Sequence, residues 1–135
     1  MLKPDIVFVC GAYRAYTSTK QNANVLAAAR CAEALWRSGY PTICPHINTQ
    51  QFDESDERMR KTYLEGYKKI LSQCSLLVVL PSYLSSSGAL EEIKYARTLG
   101  MKIKAYLGVD PETGEALLAD FESVRYVPEH FTTEV

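Results

Sequence analysis

The chain has 135 residues, 47% apolar and 23% charged, the balance of a single globular domain, 1–135, with a core of its own. A formal net charge of -1 leaves no electrostatic footprint for nucleic acid or an anionic membrane. No apolar window reaches the length of a membrane span or a signal peptide, so a cytoplasmic protein is expected.

The elements follow in chain order. Residues 5–10, DIVFVC, form a short apolar, β-branched run closed by Gly11, which predicts a buried strand. Residues 24–40 place Val25, Ala28, Ala29, Ala32, Leu35 and Trp36 on one helical face, with Asn22 or Asn24 as cap and Gly39 as stop. PTICP, residues 41–45, predicts a second strand. Met59, Tyr63, Tyr67, Ile70 and Leu71 then recur at helical spacing, and the acids of residues 53–57 stand where the helix dipole favours them. The run LLVVL, residues 76–80, is apolar throughout and predicts a strand covered on both faces. A third helix over 89–99 ends at Gly100, and a fourth strand covers 102–107. DPETG is a turn, residues 115–120 suit a short helix, and residues 123–127 a last strand.

Strands alternating with helices in one short chain predict an α/β fold, an open, mainly parallel sheet of about five strands with helices on both faces, Rossmann- or flavodoxin-like. Cys10, Cys31, Cys44 and Cys74 lack C-x-x-C spacing and read as free, reduced, buried thiols.

In such sheets a ligand lies beyond the carboxyl ends of the strands. Gly11, Tyr13 and Arg14 leave the first strand, His46 leaves the second, and Ser85, Ser86, Ser87 and Gly88 lead from the third into its helix. A Ser–Gly turn at a helix start brings backbone N–H groups and hydroxyls to an anion, although serines there also serve as caps. The sequence has neither a G-x-x-x-x-G-K-[ST] loop nor a G-x-G-x-x-G after the first strand, which speaks against an ATPase and a dinucleotide-dependent dehydrogenase. Ala89, Ile93, Ala96 and Gly100 define the inner face of the third helix. At about 100° per residue Glu91 points away from that face, whereas Glu92 lies on its flank beside the strand ends.

Those residues carry a resemblance. The pattern S-x-G-A-x-x-E-x-x-x-A-x-x-x-G, from Ser86 through Glu92 to Gly100, resembles the nucleoside 2-deoxyribosyltransferase-like superfamily. LPSY at 80–83, CGAYR at 10–14 and the G-Y-x-x-x-x-P-H stretch at 39–46 are similar to segments of its uncharacterised bacterial and phage branch. The likeness spans roughly residues 5–107. It implies cleavage or transfer at the N-glycosidic bond of a nucleoside or nucleoside 5′-monophosphate, with Glu92 as nucleophile and Tyr13 positioning it. It also implies that Ser85, Ser86, Ser87, Gly88, Gly11 and Arg14 hold substrate or its phosphate, without metal or cofactor, in a homo-oligomer.

The sequence departs from the family pattern where acids are expected, at Cys74–Ser75 and in PSYLSSS. His46 is a candidate to replace the missing leaving-group acid, because imidazole titrates near neutral pH, and equally a candidate for a hydrogen-bonded structural histidine beside its proline. A second possibility is a module of the same fold that binds a nucleotide or nucleotide-sugar without cleaving it.

Overall fold

The computed structural model describes residues 2–52 and 55–124. The elements are β1 (Val7–Cys10), α1 (Ser18–Arg37), β2 (Thr42–Ile43), α2 (Pro45–Asn48), α3 (Glu57–Ser72), β3 (Leu76–Val79), α4 (Ser87–Thr98), β4 (Lys102–Val109) and β5 (Ala116–Asp120). Short 3-10 turns cover Pro81–Ser85 and Phe121–Ser123. One sheet has the order β2-β1-β3-β4-β5, parallel except for the antiparallel β5 edge.

β1 and β3 are central and completely buried, which is why both are uninterrupted apolar runs. Alternation along β1 sends Val7 and Val9 to the face covered by α1, where they meet Ala28, Cys31, Ala32 and Leu35. Phe8 and Cys10 face the other side, against Leu71 of α3 and Ala89, Ile93 and Ala96 of α4. The α/β sandwich expected from the sequence is the fold observed.

Several local expectations are corrected. α1 begins at Ser18, six residues before 24, because Thr17 caps it by accepting the Lys20 N–H at 3.1 Å. Its first turns are polar and carry no apolar period to read. Asn24 is therefore not a cap but a buried mid-helix residue. Trp36 is 54% exposed, because β2 is the sheet edge and only two residues long, so that among the described residues no further strand covers the indole. Residues 115–120 hold a strand where a helix was expected: the Ala–Leu segment follows the tight turn after β4 and pairs back along it. Residues 121–123 form a 3-10 turn, and residues 125–127 of the expected last strand lie outside the described residues. The stops at Gly39 and Gly100 are as expected, with φ of 93° and 67°, values that favour glycine.

α3 packs differently from α1 and α4. Asp56 caps it by accepting the Arg58 N–H, yet Leu71 is its one fully buried residue. Tyr67 is half-buried, edge-on to Phe8, with its hydroxyl bonded to Asn48 and Thr49. Leu64 is 65% exposed, and Met59, Ile70 and the preceding Phe52 are also exposed.

Candidate functional site

From β1 the chain passes through α1 to β2 on one side; from β2 it crosses through α3 to β3 on the other side of β1. The carboxyl ends of β1 and β3 therefore flank the topological switch point, where a sheet of this order opens a crevice. Residues 11–14 and 81–88 both start there.

The segment after β1 is held by its backbone. The Gly11 carbonyl accepts from His46 Nε2 at 3.0 Å, the Ala12 N–H donates to Ser82 Oγ at 3.0 Å, and the Tyr13 carbonyl accepts from Asn24 Nδ2 at 3.2 Å. Three consecutive peptide groups are thus tied to α2, to the turn after β3 and to α1. Asn24 and His46 are buried polar residues, and these bonds satisfy them. Gly11 is needed for packing, since a Cβ there would lie 2.6 Å from Leu80 Cδ1. The structure gives this glycine a steric reason and fixes its carbonyl to a protein partner.

His46 has the hydrogen bonds of a structural histidine. A carbonyl can only accept, so Nε2 carries the proton, and the bare Nδ1 faces Cys44 Sγ at 3.8 Å. Burial lowers its pKa, against the opposing pull of the Gly11 and Ala12 backbone, and the ring is neutral. Both nitrogens face inward partners. The ring also stands edge-on to Tyr13, 6.1 Å between centroids, so His46 orients the Gly11–Tyr13 segment. Tyr13 is half-buried and Arg14 exposed.

On the β3 side, the turn Pro81–Ser85 delivers the chain into α4. Ser86 caps that helix by accepting the Ala89 N–H at 3.0 Å, and its own proton stays available. Ser85 spends its proton on the Ser82 carbonyl at 2.8 Å, so it can offer a ligand only acceptor character unless that bond opens. Ser87 and Gly88 are exposed, and as the first two residues of the helix their N–H groups have no intrahelical acceptor. A Cβ at Gly88 would meet only Ser86 Oγ, at 3.7 Å, so no internal contact demands glycine.

Glu91 is exposed, whereas Glu92 turns in and is half-buried. Burial pushes the Glu92 carboxyl up to about 7, partly offset by the neighbouring Cys10 thiol. Cys10 is fully buried at the end of β1, and its Sγ also reaches the Ala89 carbonyl at 3.4 Å. Burial and the adjacent Glu92 raise the thiol well above its ordinary value, so Cys10 stays protonated and donates.

Cys74–Ser75, where an acid is absent, lies at the amino end of β3, roughly 16 Å along the strand from Leu80 at about 3.3 Å per residue. There the Ser75 hydroxyl accepts from the Ile6 N–H and donates to Asp5, which pairs with Lys102. That position fastens strand starts at the far end of the sheet. Among the described residues no group of three His, Cys, Asp or Glu side chains is placed to hold a metal ion, and no helix is long and apolar enough to cross a membrane.

The sequence gives Cys10 and Asn24 no part in the crevice, and Ser82 no partner there. Asn24 could have been found as a polar residue one position from Val25 and four from Ala28, inside the buried stripe. Cys10 and Ser82 act across the sheet and leave no local signal.

A family model described as a domain of unknown function (DUF7768) matches residues 5–106. The chain belongs to that family. The DUF7768 match takes in β1, the tethered segment, His46, the Ser–Gly turn and Glu92, and ends inside β4. No curated protein matches the chain.

Proposed function

We propose that this DUF7768 chain cleaves or transfers at the N-glycosidic bond of a nucleoside or nucleoside 5′-monophosphate, with Glu92 as nucleophile, in keeping with its resemblance to the nucleoside 2-deoxyribosyltransferase-like superfamily. The observation that carries this reading is the half-buried Glu92, lifted to about 7 at the switch point of the sheet. A desolvated carboxylate gains most when positive charge develops beside it, as at an anomeric carbon losing its base. In this reading the Glu92 oxygen bonds to that carbon as the C–N bond breaks, and the base leaves with the electron pair and takes up a proton. Water or a second base then displaces the carboxylate. The Ser87 and Gly88 N–H groups and the Ser86 hydroxyl are the donors for a 5′-phosphate, and Arg14 adds charge from the opposite loop.

One observation favours a binding module instead: both nitrogens of His46 face protein partners, which leaves the leaving base without an assigned acid. The two readings separate on incubation of wild type and Glu92→Gln with nucleosides and 5′-monophosphates, followed by chromatography for free base. Release by wild type alone supports catalysis. Release by neither, with a nucleotide still raising Tm, supports binding.

A cytoplasmic homo-oligomer accompanies this proposal. The described cysteines are all free thiols, and the exposed Met59, Leu64 and Ile70 of α3 offer a surface for a second copy, which light scattering tests.

A further inference from the structure

A groove runs along the outer flank of α4. Leu90, Ile93, Lys94 and Arg97 line it from the helix, and Tyr83 and Phe121 close its other wall around a cleft of about 450 Å³. The four helix residues follow the i, i+3, i+4, i+7 spacing of a single stripe. Phe121 holds one end of the groove. Its ring stands edge-on to Tyr83, 5.3 Å between centroids, and the Arg97 guanidinium lies 5.7 Å from it. Glu122 pairs with Arg97 at 2.6 Å, and Val124, the last described residue, still packs against the apolar cluster on this side of the sheet. The chain thus travels along this face by setting an aromatic ring on the groove wall and a carboxylate on a cation of α4. Further toward the start of α4, Leu90 is 43% exposed, and Lys94 is exposed without an ion pair among the described residues.

We propose that residues 125–135, RYVPEHFTTEV, are the occupant of this groove, with the rings of Tyr126 and Phe131 against Leu90 and Ile93. The segment repeats the chemistry that Phe121 and Glu122 already use here, since Glu129 and Glu134 alternate with its two aromatic residues. Its carboxylates complement Lys94, and its rings carry the apolar area that an exposed Leu90 lacks. Reach is ample. From Arg97 back to Leu90 the groove extends about 10 Å at 1.5 Å per residue, whereas eleven extended residues span roughly 36 Å at 3.3 Å each. The tether also makes docking intramolecular, so weak contacts suffice where a separate aromatic anion or a second chain would have to bind from solution. Docking on this flank is independent of the chemistry at Glu92.

The test is NMR of the full chain with labelled Leu and Ile methyl groups. Nuclear Overhauser cross-peaks should join the ring protons of Tyr126 and Phe131 to the methyls of Leu90 and Ile93, assigned with Tyr126→Ala and Phe131→Ala. Absence of any such cross-peak from either ring overturns the proposal. Leu90→Glu changes an exposed position, removes the apolar wall and sets a like charge before Glu129 and Glu134. Most of the ring-to-Ile93 intensity should be lost in that variant, and intensity that survives unchanged overturns the proposal as well. A mixture of methyl-labelled and unlabelled chains separates the two sources of the rings. Cross-peaks confined to labelled chains support docking of the chain's own segment; cross-peaks from unlabelled rings to labelled methyls would assign the groove to a second copy and overturn it.

Discussion

His46 donates from Nε2 to the Gly11 carbonyl at 3.0 Å, so the histidine fastens the first crevice loop to α2. Replacing it with Phe keeps a ring and deletes the donor, which leaves a buried carbonyl unsatisfied. Such a loss costs about 1–3 kcal/mol, and urea denaturation of His46→Phe should show it. The pH dependence has a definite sign. The folded-state pKa lies below the ordinary 6.5, so the unfolded chain binds more protons between the two values. Wild type should lose stability from His46 as pH falls below about 6.5, and the variant should lack that component.

Glu92 has the opposite slope. Its pKa is raised from 4.5 to about 7, so the folded state binds the extra proton, and its contribution to stability falls as pH rises through that window. Glu92→Gln removes the charge that folding must desolvate. The variant should match wild type near pH 4.5 and exceed it above pH 7, by up to roughly 3 kcal/mol. Thermal melts at the two pH values check this; a variant no more stable than wild type at pH 8 would sink the claim that Glu92 is held against its own solvation. Stability sacrificed at one carboxylate is what a poised reacting group requires.

Gly11 and Leu80 make contact closer than any other residue would allow, the added Cβ falling 2.6 Å from Leu80 Cδ1 and 2.8 Å from its Cβ. The second distance decides the matter, because a Cβ cannot rotate away. Gly11→Ala should cost about 1–3 kcal/mol by overpacking. Leu80→Ala in the same chain should recover only the part due to the Cδ1 contact, so a double-mutant cycle should show favourable coupling. Strict additivity would mean that the strands part freely.

The sheet was legible and the loops were not, for a physical reason. VFVC and LLVVL are buried on both faces, and burial writes itself into consecutive residues. The inner face of α4 and the contrast between Glu91 and Glu92 follow from helical phase alone, which needs no partner. Helix starts depend on one side-chain bond, so Thr17 at the head of a polar turn carries no more sequence signal than Asn22 or Asn24. The segment 116–120 is rich in good helix formers, and pairing with β4 outweighed that weak preference. The crevice is held together by contacts such as Ala12 to Ser82 and Cys10 to Ala89, 70 and 79 residues apart in sequence, which no local pattern encodes.

Gly88 separates a folding role from a binding role. Its backbone lies within the helix, and a Cβ would meet only Ser86 Oγ, at 3.7 Å. Alanine is the better helix former by roughly 0.5–1 kcal/mol, so Gly88→Ala should leave Tm unchanged or raise it. The added methyl would stand over the first N–H groups of α4, where the proposed phosphate would come close. Affinity for a nucleoside 5′-monophosphate should fall about tenfold or more, an estimate that equates lost close approach with about 1.4 kcal/mol. Affinity for the parent nucleoside should change little, and titration calorimetry on the pair of ligands measures the difference. Ser86→Ala is the contrasting variant, since it loses the helix cap and should cost about 1 kcal/mol of stability as well as phosphate affinity. If Gly88→Ala binds the monophosphate as wild type does, the helix start is not the phosphate site, and the Ser–Gly turn reduces to the capping of α4.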